Sequence, residues 1–541
     1  MNLTLFDYTK EMTRITKGKN YNHNTIKLTI DCLDKLNNYN LENYISDVEK
    51  SGLESTWNNI CQFVIDHKGK CSEFLSISSF GELYEIGLAI QDKKLKKKSG
   101  QYYTPDDVAF VMSEWFAKED GYNVCDVACG TGKLILTYLD LIGYDKAREL
   151  IAEKRLFLYD FDNIALKICR TSIAIKYGLD IADSINDIFC DFLDPEIHLP
   201  NDCKVIANPP YAHLDELQPY WDVTEVLSTT KEFYSAFMEK IFTQAKSTVI
   251  ITPFSFIGSS KFYTLRKVMC DIGSGSIISF DNVPGNIFCG RKHGIFNSNN
   301  ANSVRAAITI FRRDSKAKGF RISPLIRFKN EQRAELLQCE LLEKTLSSEY
   351  QVVTEKNREF KKIHASLFGV YNDWVNKSDY KIKDFIEKTE SNYFIDIPNT
   401  CRYFTTGSSR KLKRTGSISI NIKDTKVFNF LYCFINSSFT YWWWRIFDGG
   451  ITYTASLFNN MPVPINLLNE SDFRFFSDMA SKMISEEGNY IVTKMNAGVA
   501  QENIKFPVKY RLQINERLLK ILGHNPDGHI FDCVHENKFE F

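Results

Sequence analysis

Short apolar stretches alternate with amphipathic stretches over residues 99–313, and this alternation constrains the fold more than any other feature of the chain. The amphipathic stretches, as at 164–177 before Gly178 and at 231–245, carry apolar residues at the three- and four-residue spacing of helices with one buried face. We therefore predict an α/β domain with a doubly wound sheet and helices on both faces. The predicted strands lie at 123–127, 156–159, 185–190, 205–207, 248–252, 277–280 and 305–311.

A glycine-containing turn, Asp126-Val-Ala-Cys-Gly130-Thr-Gly132, follows the first predicted strand and opens a helix. Its glycines permit a tight turn and a close approach of the backbone to a ligand at the helix N-terminus. The spacing differs from the phosphate-binding GxxxxGK[ST] pattern and from the nicotinamide-binding GxGxxG pattern. The acid at the strand end suits a ligand with a cationic ammonium group. A structural turn without a ligand is the alternative, and it is the simpler explanation for this motif alone.

The second and third predicted strands also end in acids. Asp160 lies where a nucleotide-binding sheet carries the carboxylate that accepts hydrogen bonds from ribose hydroxyls. The alternative is a helix N-cap, which suits Asp162 better. After the third strand, Asp191 and Phe192 offer a carboxylate for an adenine amine and a ring to lie against its face. A polar strand end beside a core phenylalanine is the alternative for this pair.

The most specific motif is Asn208-Pro209-Pro210-Tyr211, directly after the fourth predicted strand. The two prolines fix the backbone and prevent it from continuing into a helix. The Asn208 side chain and the Pro209 carbonyl then offer two acceptors to one planar amine, and Tyr211 offers an aromatic face. Such an arrangement favours the pyramidal, nucleophilic form of an exocyclic amine through placement and electrostatics. The motif therefore predicts a site for an exocyclic amino group.

Upstream, Gly100-Gln-Tyr102-Tyr103-Thr104-Pro105 precedes another predicted helix. Thr104 is a good N-cap residue, Pro105 suits the first helical position, and the acids that follow suit the first turn. A simple helix start explains this segment if it is considered alone.

Together these motifs resemble those of the amino-methylating, adenine-specific DNA methyltransferases that use S-adenosylmethionine. The resemblance runs from about Phe80 to Phe311 and more loosely through the tail, which contains Phe434-Ile-Asn-Ser-Ser438 and Leu457-Phe-Asn-Asn-Met-Pro-Val-Pro464. The motif order is that of type I modification subunits and single-chain type II methylases. The chain departs from the family at DVACGTG, where DPACGSG is commoner, and at GRKHGIFNSNNAN, which delays the last strand.

The resemblance implies a class I S-adenosylmethionine-dependent methyltransferase sheet and a role for each motif. Asn208, Pro209, Pro210 and Tyr211 would be catalytic, and Tyr211 and Phe288 would stack on the target base, with Phe296 as the alternative to Phe288. The implied cofactor-binding residues are Tyr102, Tyr103, Thr104, Asp126, Ala128, Gly130, Gly132, Asp160, Phe161, Asp191, Phe192 and Asn208.

We predict four regions along the chain: a helical N-terminal region at 1–98, the catalytic domain at 99–313, a helical connector at 314–345, and an α+β target-recognition domain at 346–541. The three adjacent tryptophans Trp442, Trp443 and Trp444 are expected in the core of the last region rather than against bases.

The chain has 67 basic and 67 acidic side chains, which excludes a uniformly basic, histone-like surface but not a polarised one. Residues 282–313 and 401–423 contain no Asp or Glu, and such basic tracts fit contact with DNA phosphates, although solvated loops are the alternative. The predicted DNA-binding residues are Arg291, Lys292, Arg410, Lys411, Lys413 and Arg414.

No metal site is expected, because the cysteines are scattered without an accompanying histidine cluster. Scattered cysteines and the lack of a signal peptide or an apolar span predict a cytoplasmic protein of bacterial, archaeal or phage origin.

The predicted function is transfer of a methyl group from S-adenosylmethionine to the N6 amine of adenine in double-stranded DNA, with base flipping. Methylation of RNA adenine or of a protein glutamine is the alternative, as is a modification subunit that needs a separate specificity subunit. A cognate restriction endonuclease is a further partner left open by the sequence.

Overall fold

The computed structural model describes residues 104–213, 224–288, 304–400, 403–448, 452–496 and 498–535. The predicted helical region at 1–98 lies outside these residues. Within them, an eight-stranded sheet has the strand order β3-β2-β1-β4-β5-β7-β6-β8. Its strands are β1 (Asn123–Val127), β2 (Leu156–Asp160), β3 (Asn186–Phe189), β4 (Cys203–Ala207), β5 (Ser247–Pro253), β6 (Gly273–Phe280), β7 (Ala306–Arg313) and β8 (Gly319–Ile326). All seven predicted strands are therefore confirmed.

The connecting helices of this part are α1 (Asp106–Ala117), α2 (Lys133–Ile142), α3 (Tyr144–Ala152), α4 (Asn163–Tyr177), α5 (Glu225–Thr230), α6 (Phe233–Gln244), α7 (Tyr263–Ile272), α8 (Arg333–Leu336) and α9 (Cys339–Lys344). They cover both faces of the sheet. Alternate residues of a strand point to opposite sides, so a buried strand has apolar side chains packed against helices on each face. In β4, Ile206 packs with α1 to α4, whereas Val205 and Ala207 pack with α5 to α7. The doubly wound sheet predicted from the sequence is confirmed.

The strand order reverses between β1 and β4, which lie side by side and run parallel. Chain connections leave these two strands in opposite directions, so a crevice opens at their carboxyl ends. Asp126, which pairs with Ile206, lies near the end of β1, and Asn208 directly follows β4. The topology thus brings the glycine turn and the Asn208 motif to one edge of the sheet.

The helical connector predicted at 314–345 is wrong in its first half, where the structure has strand β8. This strand pairs parallel to β6 at the edge of the sheet. Pro324 interrupts its apolar pattern, and a proline is tolerated there because an edge strand has one side free of ladder hydrogen bonds. The pairing of β6 with β8 also shifts register between Ile277 and Ser279, which makes the strand harder to predict from an alternating apolar pattern.

The region after residue 346 packs around a core of its own. Its helices are α10 (Phe368–Lys377), α11 (Thr425–Ile435), α12 (Ser438–Phe447), α13 (Ala455–Asn459), α14 (Glu470–Glu486), α15 (Val508–Leu522) and α16 (Asp532–His535). Its strands form three antiparallel pairs, β9 (Tyr380–Lys381) with β12 (Pro462–Val463), β10 (Tyr393–Pro398) with β11 (Ser417–Ile422), and β13 (Ile491–Asn496) with β14 (Val499–Ile504). Trp442, Trp443 and Trp444 are buried in this core, as predicted.

A buried set of charges joins this region to the sheet, and we call it the buried charge cluster. Asp281, directly after β6, accepts hydrogen bonds from Arg445 of α12 at 2.8 Å and from Arg305 at 3.0 Å. Arg305 also reaches Asp448, just after α12, at 2.6 Å. The cluster comprises Asp281, Arg305, Arg327, Lys362, Arg445 and Asp448. It fixes α12 against the same sheet edge that carries the Asn208 motif.

Candidate active site

The loop between β1 and α2 holds the chain in conformations that leave space beside it. Ala128, Gly130 and Gly132 all have positive φ, of 58°, 54° and 91°. A Cβ at Gly132 would lie 2.5 Å from the Cys169 sulfur, whereas a Cβ at Gly130 would meet no atom within 4 Å. Gly132 is therefore required by packing, whereas Gly130 faces open space at the helix N-terminus. We call this open space beside residues 128–132 the glycine cradle.

Asp126 is a buried carboxylate at the base of this cradle. One of its oxygens accepts a hydrogen bond from the backbone N–H of Ile135, in the first turn of α2, at 3.2 Å. The other oxygen, Oδ1, has no hydrogen-bond partner among the described residues. Burial, with a smaller contribution from the charge of Asp160, raises the pKa of Asp126 well above its ordinary value. An unsatisfied buried acceptor of this kind is suited to a donor supplied by a ligand.

Asp160, at the end of β2, lies next to the glycine loop. Its carboxylate accepts hydrogen bonds from the backbone N–H groups of Gly130 at 2.6 Å and of Asp162 at 2.7 Å. Burial raises its pKa to about 6, against the lowering effect of these hydrogen bonds. Phe161, the next residue, is 75% exposed and presents its ring to solvent.

The structure departs from the sequence prediction at Phe192. Its ring lies in the core, stacked on Phe237 with 5.4 Å between ring centroids, and so does not face a ligand. Asp191 accepts a hydrogen bond from the backbone N–H of Leu193 at 3.0 Å. The exposed ring near the end of β3 is instead that of Phe189, a residue that the sequence reading assigned only to a strand.

The loop after β4 places Asn208 between two hydroxyl groups. Its side-chain nitrogen donates a hydrogen bond to the Thr104 hydroxyl at 2.9 Å. The Tyr211 hydroxyl lies 2.8 Å from the Asn208 side-chain oxygen and 3.1 Å from the backbone carbonyl oxygen of Ile251, which makes two acceptors for its one hydrogen. Thr104 was predicted as an N-cap, but α1 begins one residue later and Thr104 makes no capping bond. Its hydroxyl orients the Asn208 amide instead.

An aromatic pair, Tyr211 and Phe288, extends from the contact between Asn208 and the Tyr211 hydroxyl. The Tyr211 ring meets the Phe288 ring edge to face, with 5.6 Å between centroids, and both side chains are half-buried. Phe288 is fixed by its backbone N–H, which donates to the Asn286 side-chain oxygen at 2.8 Å. The structure thus brings together an amide oxygen, two rings and a glycine cradle at one sheet edge. Tyr102, Tyr103, Phe296, Arg291 and Lys292 lie outside the described residues.

Comparison with known families agrees with this arrangement. The family described as N-6 DNA Methylase matches residues 75–384, which is more than half of the chain. The chain belongs to this family. The match covers the glycine loop, the Asn208 motif and Phe288, as well as β8 and the helices that follow it.

Individual relatives match shorter parts of the chain. The methylase subunit of the type I restriction enzyme MpnII from Mycoplasma pneumoniae is 28% identical over 149 residues, which cover 25% of this chain and 26% of the relative. The modification methylase CviBIII of Paramecium bursaria Chlorella virus NC1A is 25% identical over 206 residues, covering 36% of this chain and 48% of the relative. The chain therefore spans at most about half the length of these relatives. Among solved structures, a DrdV–DNA complex has a TM-score of 0.46 at 15% identity, covering 73% of this chain and 45% of that chain.

The basic residues predicted to bind DNA in the C-terminal region differ in exposure. Arg410 and Lys413 are exposed, and Lys411 is largely exposed although it reaches Asp396 at 3.0 Å. The structure departs from the prediction at Arg414, whose side chain is 4% exposed and lies 3.5 Å from the buried carboxylate of Asp396. A side chain buried in this way cannot reach a phosphate in this conformation.

Arg333, which no sequence motif marks, lies next to the site. The guanidinium of Arg333 contacts Asp107 of α1 and two backbone carbonyls just before Phe288. In the sequence it is one of many charges in the connector predicted at 314–345. Within the described residues, no group of three His, Cys, Asp or Glu side chains could hold a metal ion, and no helix is long and apolar enough to cross a membrane.

Proposed function

We propose that this chain transfers a methyl group from S-adenosylmethionine to the exocyclic N6 amine of adenine in double-stranded DNA. Membership in the N-6 DNA methylase family supports this proposal. The observation that carries it is the Asn208 side-chain oxygen, which contacts the Tyr211 hydroxyl, together with the Phe288 ring packed against the Tyr211 ring. An oriented acceptor next to an aromatic pair suits a planar base that carries an amino group.

The glycine cradle fits the cofactor that the family implies. Asp126 Oδ1 is a buried acceptor without a partner among the described residues, and it would take the ammonium group of the methionine portion. The open space at Gly130 would admit the ligand against the backbone, and Asp160 would accept hydrogen bonds from the ribose hydroxyls. Phe161 and Asp191 would border the adenine ring. S-adenosylmethionine supplies an electrophilic methyl group on a sulfonium.

The task of the protein side chains is then to hold the target amine. The Asn208 side-chain oxygen and the Pro209 carbonyl would accept its two hydrogens, which favours the nucleophilic form of the nitrogen. The Tyr211 hydroxyl can turn its hydrogen from Asn208 to the carbonyl of Ile251, only 3.1 Å away. The Asn208 oxygen can therefore receive the amine without leaving the Tyr211 hydroxyl unsatisfied.

The target adenine must leave the base stack to reach Asn208, at a cost of a few kcal/mol. Tyr211 and Phe288 would offset part of this cost, because stacking on an aromatic side chain contributes about 1–3 kcal/mol per base. We assign phosphate contacts to the exposed Arg410, Lys411 and Lys413 in the C-terminal region. The setting would be the cytoplasm of a bacterium, an archaeon or an infected cell, with a cognate endonuclease or a specificity subunit as partner.

The test compares DNA from cells that express the full chain with DNA from cells that express Asn208→Ala, both read by single-molecule sequencing. We expect N6-methyladenine at one sequence motif with the native chain and none with Asn208→Ala. Asn201→Ala, in an exposed turn, is the matched control and should methylate normally. Methylation that survives Asn208→Ala would contradict the mechanism. Unmodified DNA with the native chain would favour a missing specificity subunit, or RNA or a protein glutamine as substrate.

A further inference from the structure

One wall of the proposed base site lies on a segment without regular secondary structure. The segment runs from the end of β6 to Phe288 and includes Gly285 and Asn286. The Gly285 backbone N–H donates to the carbonyl of Phe328 at 2.8 Å, which ties the middle of the segment to the chain after β8. The carbonyls of Asn286 and Ile287, immediately before Phe288, receive their hydrogen bonds from a side chain.

That side chain is Arg333, which is 7% exposed. Its Nη1 donates to the carbonyl of Asn286 at 2.9 Å, and its Nη2 donates to the carbonyl of Ile287 at 2.7 Å. The other side of the guanidinium faces Asp107, with Nη2 at 2.8 Å from Oδ1 and Nε at 2.5 Å from Oδ2. One planar fork therefore holds a loop and a carboxylate at the same time.

Asp107 carries this contact to the other side of the site. It lies in the first turn of α1, and Thr104 stands just before this helix. Thr104 orients Asn208, Asn208 contacts Tyr211, and the Tyr211 ring meets Phe288. These contacts form a closed ring of residues. In this ring, Arg333 connects the helix start that leads to Asn208 with the loop that carries Phe288.

We propose that Arg333 is a positioning residue that sets the place of Phe288 relative to Asn208. The proposal rests on the proposed function, since it assigns Phe288 to the target base. Without the Arg333 guanidinium, the loop before Phe288 would lose its hydrogen bonds, and the first turn of α1 would no longer be held against this loop. A lysine could not replace the arginine, because one ammonium group cannot span Asp107 and two carbonyls in a fixed plane.

The test uses the full chain with Arg333→Gln and Arg333→Lys, and it uses Arg312→Gln as the matched control. Arg312 makes a two-point contact, at 2.8 and 2.6 Å, with the carboxylate of Glu119 beyond the opposite end of α1, from a side chain that is 56% exposed. Initial methylation rates are measured per folded molecule, counted by the stoichiometry of S-adenosylmethionine binding in calorimetry. Hydrogen exchange of peptides that cover residues 285–288 reports the loop without any need for activity.

We expect both Arg333 variants to lose up to about 100-fold in kcat, the scale of a small misplacement in an active site. Exchange at residues 285–288 should accelerate in both, while Arg312→Gln keeps the native rate and protection. In a Phe288→Ala background, Arg333→Gln should lower kcat by a smaller factor than in the native chain, because the ring that Arg333 positions is absent.

A native methylation rate in Arg333→Lys overturns the proposal, as does equal loss from Arg333→Gln in both backgrounds. If the native chain methylates no adenine, the proposed function has failed for the chain acting alone. Hydrogen exchange then still decides whether Arg333 holds the loop, and unchanged exchange overturns the inference independently.

Discussion

Asp160 accepts a hydrogen bond from the backbone N–H of Gly130 at 2.6 Å, so the end of β2 fixes the turn that follows β1. A single carboxylate therefore shapes the cradle and would also receive the ribose of the cofactor. Its pKa of about 6, raised by burial, places its titration in an accessible pH range.

Cofactor affinity should depend on pH through Asp160. Ribose hydroxyls donate hydrogen bonds to the ionised carboxylate, so affinity is highest above the pKa and falls as the pH drops through about 6. The fall should approach about tenfold per pH unit below that point. Calorimetry with S-adenosylmethionine measures this affinity at pH values from about 5 to about 8, which extend at least about one unit on each side of the pKa of Asp160. Asp160→Asn should bind weakly and give a shallower profile, because only the buried Asp126, whose pKa is also raised, then titrates in the site. A native slope in this variant would remove the assignment.

The two glycines of the cradle should respond differently to alanine. Gly132→Ala should lower the free energy of unfolding by about 2–4 kcal/mol, because the new methyl meets Cys169 in a left-handed backbone. Gly130→Ala should cost only about 1 kcal/mol of stability, since its methyl meets no protein atom. Its cofactor affinity should nevertheless fall, because the methyl enters the cradle. Thermal unfolding and calorimetry separate the two effects, and native affinity in Gly130→Ala would show that no ligand lies there.

Thr104→Val should slow methylation without unfolding the protein. Valine keeps the shape of threonine but removes the acceptor for the Asn208 amide nitrogen, so the amide can turn its oxygen away from the target amine. We expect a loss of about tenfold in kcat, the scale of one neutral hydrogen bond. Thr104→Ser keeps the hydroxyl and serves as the control, with a rate near that of the native chain. Equal rates in the serine and valine variants would contradict this role.

Asp281→Asn should destabilise the whole protein. Burial alone would raise the pKa of Asp281, but the guanidinium groups of Arg445, Arg305 and Arg327 outweigh it and lower the pKa. Without this charge three guanidinium groups lose their shared partner, at a cost of about 3–5 kcal/mol. Since its folded pKa is lowered, this stabilisation is complete at neutral pH and is lost only as acid protonates Asp281 below the ordinary carboxyl range.

Denaturant unfolding at neutral pH measures the effect of Asp281→Asn. Asp314→Asn is the control, because the well-exposed carboxylate of Asp314 pairs with Arg313 at the surface, and its unfolding midpoint should not move. Identical midpoints for the two variants would mean that the buried charge cluster contributes nothing to stability.

The sheet could be predicted because buried strands and amphipathic helices leave local periodic signals. The motifs at the ends of β1, β2 and β4 could be placed at one edge because parallel strands align their carboxyl ends. Contacts between distant residues left no such signal, as with Thr104 and Asn208, which are 104 positions apart. The inward turn of Phe192 also depends on packing against α6 rather than on its neighbours in sequence. Arg445 reaches Asp281 across 164 positions, and no local pattern pairs them.

The buried charge cluster bears on how the C-terminal region can be exchanged between relatives. Three of its members, Lys362, Arg445 and Asp448, belong to the C-terminal region, while Asp281 and Arg305 flank the ends of strands in the sheet. An exchange of the C-terminal region between relatives would split these charges between two ancestries. A successful chimera would therefore have to inherit the sheet members and the C-terminal members of the buried charge cluster together. Loops could diverge freely only where they do not contact this cluster.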